Sequence, residues 1–267
     1  MAITHRDMQK DWNNAFATHN AILDQTPYEP EVLFIGTFNP GTNNANFSDF
    51  FYGRNYLWTG FKNYFVYNKV QIEKRRMPTK GRKADIVTNP TLSEIFELCT
   101  KLKLCFTDLI LEVLHKNNPQ YAILDNDNVI FNGNEYNLIQ DGKSSEKLSY
   151  VSRKTLLGLE QLDIINQVHW NTENIISFLE QTPTIKTIYF TRKPTGVWGR
   201  ELNKIKFHSC MQDRSLTNIY TPSGQRLKGT PRMNVLLRHW IFNKDKSFGT
   251  LNNNWLIQHG VTLENFV

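Results

Sequence analysis

Three segments of this sequence combine residue types that can hold a flat, polar ligand. The first is Gly36-Thr37-Phe38-Asn39-Pro40-Gly41, where Pro-Gly lets the backbone turn sharply and Asn39 projects an amide. The second is the aromatic cluster Phe50-Phe51-Tyr52, followed closely by Asn55. The third is the polar and basic turn Thr221-Pro222-Ser223-Gly224-Gln225-Arg226-Leu227-Lys228-Gly229. An amide can orient water, aromatic faces can stack on a flat ring, and basic side chains can contact phosphates.

Short apolar runs rich in strand-forming residues predict the strands that position these segments. The runs lie at 32–35, 104–107 and 185–191, with a weaker one at 217–220. Helical spacing occurs at 6–25, 55–65, 92–101, 153–168 and 172–180, and Thr91 and Glu94 are spaced as a capping box. This alternation predicts an α/β fold, a three-layer α/β/α sandwich with a central, mainly parallel four-stranded sheet. In such sheets ligands bind beyond the carboxyl ends of the strands.

The whole chain, 1–267, is expected to form a single domain with insertions near 62–90 and 125–150. The first insertion interleaves aromatic residues with basic ones that include Arg75, Arg76 and Arg82. Two interpretations of it stay open, a nucleic-acid contact and a solvated surface loop. The second insertion contains Asn132-Gly133 between apolar runs, which predicts a hairpin.

The composition favours a polyanionic partner, because the formal net charge is +6 and the sequence pI is near 9.1. Three cysteines without a Cys-x-x-Cys pair exclude a disulfide framework and favour a reducing cytoplasm. No apolar stretch approaches the roughly 18 residues that cross a bilayer, so no membrane partner is expected. His208 and His239 lack ligand-like spacing, and the first loop lacks the Lys-Ser/Thr ending of a P-loop. No metal or other cofactor is therefore expected.

In their order and their positions after strands, the three segments resemble the uracil-DNA glycosylase superfamily. The resemblance is greatest to its mismatch-specific uracil/thymine branch and to the related hypoxanthine-type branch. Members of those branches carry a Gly-x-Asn-Pro-Gly loop, then aromatics followed by Asn-x-Phe-Trp, and finally a Pro-Ser loop after the last strand. The matching residues here are 36–41, Asn55-Tyr56-Leu57-Trp58 and Pro222-Ser223-Gly224, and the resemblance spans roughly residues 31–240.

The resemblance implies a monofunctional DNA glycosylase, which rotates a base out of DNA and hydrolyses its N-glycosidic bond to leave an abasic site. It implies catalytic roles for Asn39 and Thr37. The residues it implies for base binding are Phe38, Phe50, Phe51, Tyr52, Asn55, Asp108 and Thr221. Those implied for DNA-backbone binding are Ser223, Gln225, Arg226, Lys228, Arg75, Arg76 and Arg82, with Arg226 or Leu227 entering the vacated stack. The expected partner is duplex or single-stranded DNA at the nucleoid, without an obligate protein partner.

The sequence departs from the family pattern in ways that leave the target base open. The first loop has one extra residue, Leu57 replaces the usual Phe, and Thr221 stands where His or Asn often precedes Pro-Ser. One alternative is a pocket enlarged for the hypermodified cytosines of phage DNA, which would place the protein in antiphage defence. Two further alternatives are a catalytically inert nucleic-acid-binding module and an enzyme acting on free nucleosides.

Some residue roles also stay open in the sequence. The stacking residue could be any of Phe50, Phe51 and Tyr52, because the spacing to Asn55 favours Phe50 whereas the pattern of the related branches favours Tyr52. Asp108 could read a base or could cap a helix. We assign Trp58, on the predicted helix, to the core.

Overall fold

A computed structural model describes residues 3–4, 28–38, 56–76, 83–86, 90–113, 150–151, 154–155, 163–164, 166–224, 227–229, 231–242 and 247–267. The strands are β1 (Ile3–Thr4), β2 (Val32–Gly36), β3 (Glu73–Arg76), β4 (Lys83–Ile86), β5 (Leu104–Asp108), β6 (Ile110–Val113), β7 (Tyr150–Val151), β8 (Lys154–Thr155), β9 (Val168–Trp170), β10 (Thr187–Phe190) and β11 (Ser215–Asn218). The helices are α1 (Leu57–Lys62), α2 (Leu92–Leu102), α3 (Thr172–Gln181), α4 (Gly196–Lys206), α5 (Arg232–Phe242) and α6 (Asn253–Gln258). A π-helical turn, Asn63–Tyr67, continues α1.

The central sheet has four strands in the order β11-β10-β2-β5, and all of its pairs are parallel. This arrangement confirms the predicted α/β fold with a parallel four-stranded sheet. Every residue of β2 and of β5 is buried, which explains why both sequences are continuous apolar runs rather than alternating ones. In register, Phe34 of β2 lies between Phe106 of β5 and Tyr189 of β10.

Helices cover both faces of this sheet. On one face, the ring of Phe34 packs against Phe61 of α1, with 5.6 Å between ring centroids. On the other face, the hydroxyl of Thr107 accepts a hydrogen bond from Asn171, which immediately precedes α3. The arrangement is consistent with a three-layer α/β/α sandwich. Burial of each large apolar side chain between the layers contributes about 1.5–3 kcal/mol to folding.

The capping box predicted from Thr91 and Glu94 is confirmed at the start of α2. The Thr91 hydroxyl accepts a hydrogen bond from the N–H of Glu94 at 3.3 Å, and the Glu94 carboxylate accepts one from the N–H of Thr91 at 2.8 Å. The carboxylate also pairs with Lys62 at 2.6 Å, which joins the start of α2 to the end of α1. The predicted helix 172–180 is confirmed as α3.

Two predicted elements are wrong in type or position. The helix predicted over 153–168 is wrong at its ends, because Lys154–Thr155 pairs with β7 and Val168 begins β9. The fourth sheet strand covers 215–218 rather than 217–220, since Ser215 and Leu216 pair in register with Thr187 and Ile188 of β10. In both segments tertiary pairing overrides the local pattern.

Smaller sheets were not predicted from the sequence. Strands β3 and β4 form an antiparallel hairpin within the basic insertion near 62–90. Strands β1, β6 and β9 form a three-stranded sheet, in which Ile3 lies opposite Val113. The predicted helix 6–25 and the predicted hairpin at Asn132-Gly133 lie outside the described residues.

Candidate functional site

The strand order of the central sheet reverses between β2 and β10. From β2 the chain passes through α1 and α2 to β5 on one side, and β10 with β11 lies on the other side. The carboxyl ends of β2 and β10 therefore flank the topological switch point, which is where open α/β sheets bind their ligands. Thr37 and Phe38 follow β2 at this point.

The end of β5 holds the loop after β2 in place. The N–H of Leu109 donates to the carbonyl of Gly36 at 3.2 Å, and the N–H of Ile110 donates to the carbonyl of Thr37 at 3.1 Å. Thr37 is half-buried, whereas Phe38 is only 8% exposed and belongs to the hydrophobic core. The backbone leading to Asn39 is therefore anchored, although Asn39 itself lies outside the described residues.

Asp108 is the last residue of β5 and is only 4% exposed. Strand β6 begins two residues later, at Ile110, so Asp108 does not cap a helix and the helix-capping alternative is wrong. Asn171 holds this turn in place through three hydrogen bonds. Its amide donates to the hydroxyl of Thr107 at 2.9 Å and to the carbonyl of Asp108 at 3.0 Å, and its backbone N–H donates to the carbonyl of Leu109 at 2.8 Å.

The second and third sequence segments meet at a backbone hydrogen bond. The N–H of Tyr56, which ends the aromatic segment, donates to the carbonyl of Pro222 at 2.9 Å. The following Gly224 has a φ of +60°, and its N–H closes the turn by donating to the carbonyl of Thr221 at 2.9 Å. A glycine suits this backbone conformation because other L-residues are strained there.

The turn after β11 exposes polar atoms at the same edge. The hydroxyls of Thr221 and Ser223 lie 3.2 Å apart and both residues are half-buried. Lys228 is exposed. Leu227 is 9% exposed and packs in the hydrophobic core, so its side chain does not project as a wedge.

Several residues predicted from the sequence lie outside the described part of the chain. These are Asn39, Phe50, Phe51, Tyr52, Asn55, Arg82, Gln225 and Arg226. Arg75 and Arg76 lie on β3, paired with Ala84 and Lys83 of β4. Trp58 is 1% exposed, which confirms its assignment to the core.

Sequence reasoning missed the loop that follows β10. Thr191 is 4% exposed, and both its N–H and its hydroxyl donate to the carbonyl of Ile35, at 3.0 and 3.3 Å. Arg192 follows, and its guanidinium lies 5.2 Å from the centroid of the Trp198 ring. The next residue, Lys193, is exposed. The available signal was the run Arg192-Lys193-Pro194-Thr195-Gly196 directly after the third apolar run.

A polar cluster around Arg200 of α4 lies next to the Trp170 ring, which packs edge-on against Trp198 with 5.7 Å between ring centroids. Arg200 pairs with Asp163 at 2.6 Å and with Glu201 at 2.8 Å, and Trp170 donates its indole N–H to Asp163 at 2.6 Å. Burial acts to raise the pKa of Asp163, but the hydrogen bonds from Arg200 and Trp170 outweigh it, so the pKa lies below its ordinary value.

A groove at the opposite edge of the sheet lacks comparable chemistry. It is lined by residues that include Glu180, Lys186, Cys210 and Arg214. The guanidinium of Arg214 donates to the backbone carbonyls of Leu179, Thr182, Ile185 and Cys210, which is a structural role. Burial raises the pKa of the Cys210 thiol, which makes it a weaker nucleophile. The carboxyl edge of the sheet is therefore a better candidate for the functional site than this groove.

No protein-family model, curated protein or solved structure matches this chain. Within the described ranges, no helix has the length and apolar character needed to cross a membrane. The same ranges contain no group of three or more His, Cys, Asp or Glu side chains that could hold a metal ion. The assignment of a function therefore rests on the carboxyl-edge geometry and on the sequence motifs.

Proposed function

We propose that the chain is a monofunctional DNA glycosylase whose site lies at the carboxyl edge of the central sheet. The observation that carries the proposal is the hydrogen bond between Tyr56 and Pro222. It brings together two segments that are 166 positions apart and that resemble separate glycosylase motifs. The third motif follows β2, next to the strand-order reversal.

The reaction is hydrolysis of the bond between a base and the C1′ atom of its deoxyribose. Water supplies its oxygen to C1′, the C1′–N bond breaks, and the base leaves with the bonding electron pair and takes up a proton. Positive charge grows on the sugar and negative charge on the base, so preorganised dipoles should supply most of the rate enhancement. Asn39 would orient the water, and its amide is a weak base, so slow turnover is expected.

The base would bind at the same carboxyl edge of the sheet. One of Phe50, Phe51 and Tyr52 would stack on the rotated-out base, which is worth about 1–3 kcal/mol. Thr37, Asp108 and Thr221 would supply polar contacts. The stacking energy offsets the few kcal/mol needed to unstack the nucleotide.

DNA-backbone contacts would come from both sides of the crevice. Ser223 and Lys228 follow β11, and Arg192 and Lys193 follow β10. Contacts of this kind position the strand without reading its sequence, and they make binding depend on salt concentration. Gln225, Arg226 and the basic hairpin that contains Arg75 and Arg76 would extend this surface.

The test is an excision assay on labelled duplexes and single strands, each with one modified or mismatched base. Uracil, a thymine mismatch, hypoxanthine, cytosine and 5-substituted cytosines form the panel, and alkali converts abasic sites into strand breaks. We expect alkali-dependent breaks at one of these bases and none before alkali. DNA binding without a break on any substrate would replace this proposal with the inert-module alternative.

A further inference from the structure

We infer that the protein takes single-stranded DNA, and that an unpaired base beside the target stacks on an aromatic platform formed by Tyr220, His239 and Phe248. The inference rests on the proposed function, because it names the form of DNA that the proposed site accepts. The observations that carry it are the contacts among these three rings, their place at the carboxyl edge and the charge around them.

The three rings of the aromatic platform contact one another without being covered. The centroid of the Tyr220 ring lies 4.5 Å from that of Phe248 and 5.3 Å from that of His239. All three residues are only half-buried, whereas ring pairs of the core, such as Trp58 and Phe106, are each 1% exposed. Part of the aromatic surface therefore stays accessible to another flat ring.

Hydrogen bonds at the end of β11 fix the position of the platform. Tyr220 lies two residues beyond β11, at the carboxyl edge of the central sheet. The side-chain amide of Asn218 donates to the carbonyl of Ser247 at 2.8 Å, and the N–H of Gly249 donates to the carbonyl of Asn218 at 2.8 Å. These two bonds hold Phe248 beside the end of the strand. The platform therefore borders the turn that carries the third motif.

The charge around the platform suits a polyanion. Lys193, which follows β10, is exposed, and its ammonium group donates to the hydroxyl of Ser247 at 3.5 Å, next to Phe248. From residue 215 to residue 242 the sequence contains no Asp or Glu. The same stretch contains four Lys or Arg residues, namely Arg226, Lys228, Arg232 and Arg238. Phosphates are therefore attracted to the surface that surrounds the rings.

The combination of accessible rings and basic side chains favours single strands over duplexes. Phosphate contacts alone favour a duplex, because its charge density is higher than that of a single strand. An aromatic ring adds binding energy only where a base is unpaired and its face is free to stack, and this stacking tolerates any sequence. A base in a single strand also costs the least to rotate into a pocket. Single-stranded DNA therefore meets both the platform and the proposed reaction.

The test measures binding by fluorescence anisotropy with three unmodified ligands of equal length. They are a single strand, its duplex, and a single strand whose nucleotides are replaced by abasic tetrahydrofuran units. Phe248→Leu removes one ring of the platform, and Phe248→Tyr keeps it. Phe207→Leu is the matched control, because Phe207 is 78% exposed at the far end of α4 and lies 5.6 Å from the ammonium of Lys206.

We expect the wild type, Phe248→Tyr and Phe207→Leu to bind the normal single strand at least about fivefold more tightly than the duplex or the abasic strand. That is the effect of one base stacked on an aromatic ring. Phe248→Leu should reduce this advantage by about fivefold and leave the affinity for the abasic strand unchanged.

Two results would overturn the inference: a wild type that binds the duplex as tightly as the single strand, and an unchanged advantage in Phe248→Leu. An equal loss of affinity for normal and abasic strands in Phe248→Leu would also overturn it, because the ring would then serve the fold alone. Selective single-strand binding without excision of any base would refute the glycosylase proposal and support the platform. Excision by a protein without this selectivity would refute only the platform.

Discussion

Asn171 links the candidate site to the helix layer on the opposite face of the sheet. It is fully buried, and its side-chain amide and backbone N–H together donate to three consecutive residues, 107–109. Leu109 in turn donates its N–H to the carbonyl of Gly36, and the next residue, Ile110, donates its N–H to the carbonyl of Thr37. A single side chain therefore positions the end of β5, and through it the loop that leads to Asn39.

Replacing Asn171 with alanine should weaken both the fold and the site. Loss of the buried donors should lower the free energy of unfolding by about 1–3 kcal/mol. Excision should slow more than DNA binding weakens, because Asp108 loses its support. Denaturant unfolding measures the first effect, and excision rates with filter binding measure the second.

Asn174→Ala is the matched control for that prediction. Its amide donates to the side-chain oxygen of Asn171 at 3.0 Å and lies outside the turn. It should change excision by less than about twofold, as for most substitutions away from special features. Equal losses of excision in the two variants would contradict a positioning role for Asn171.

Single-residue roles could be predicted from the sequence only where they follow directly from a motif. Thr37, Asp108, Thr221 and Ser223 follow apolar strands, and their placement at the carboxyl edge is predictable from that alone. Asn171 could not be found in this way. Its amide reaches Thr107 across 64 positions, and no local pattern encodes such a contact.

At the scale of elements, the turn after β11 depends on Gly224. A Cβ atom there would lie 3.1 Å from Cγ and Cδ of Arg232 and 3.5 Å from the Tyr56 ring. Gly224→Ala should cost about 1–2 kcal/mol from its left-handed backbone alone. The strained backbone should also shift the turn at Pro222, whose carbonyl accepts from the Tyr56 N–H, and so reduce excision. Thermal unfolding and excision rates test both effects.

Gly260→Ala separates the loss of stability from the loss of excision activity. Gly260 has a φ of +86°, and a Cβ atom there would meet nothing within 4 Å. The two variants should therefore lose similar stability, but only Gly224→Ala should lose excision activity. Full activity in Gly224→Ala would show that the contact between Tyr56 and Pro222 does not organise the site.

The ion pair between α1 and α2 should make stability depend on pH. The hydrogen bond from Lys62, followed by that from the Thr91 N–H, lowers the pKa of Glu94 below its ordinary value. Because the folded-state pKa is below the unfolded one, the carboxylate stabilises the fold above about pH 4.3, and the stabilisation is lost as pH falls through the folded pKa. Glu94 is partly exposed, so the contribution should be below about 1 kcal/mol.

Glu94→Gln removes this charge and keeps an acceptor for the Thr91 N–H. The stability difference from wild type should be present at pH 7 and shrink as pH falls below about 4.3. Denaturant unfolding at several pH values measures it. Glu97→Gln, on the same helix, is the control. A difference of constant size across the acidic range would contradict the assignment.

Elements could be predicted where one local signal dominates. The capping box defines the start of α2, and apolar runs define β2 and β5. The sheet β1-β6-β9 could not be predicted, because it pairs Ile3 with Val113 from distant parts of the chain. The segment 153–168 has helical spacing, yet pairing with β7 and β6 determines the strands at its ends.

At the scale of the whole molecule, the positively charged side chains that bind DNA should lie mainly at the carboxyl edge of the central sheet. Lys193 and Lys186 are exposed lysines just beyond opposite ends of β10, so they form a matched pair. Lys193→Gln should weaken DNA binding and reduce the slope of log affinity against log salt by about one. Lys186→Gln should leave that slope unchanged. Equal effects of the two substitutions on binding isotherms would show that DNA does not dock at the carboxyl edge.

The central claim, that this edge hydrolyses a glycosidic bond with the help of Asn39, is tested most directly by one comparison. Wild-type protein and Asn39→Ala are incubated with the same base-modified oligonucleotides, and alkali-dependent breaks and binding are measured side by side. We predict breaks with the wild type, a loss of about 100-fold or more in the variant, as for other water-orienting groups, and similar DNA binding by both. Breaks at equal rates in both proteins, or none with either, would contradict the account.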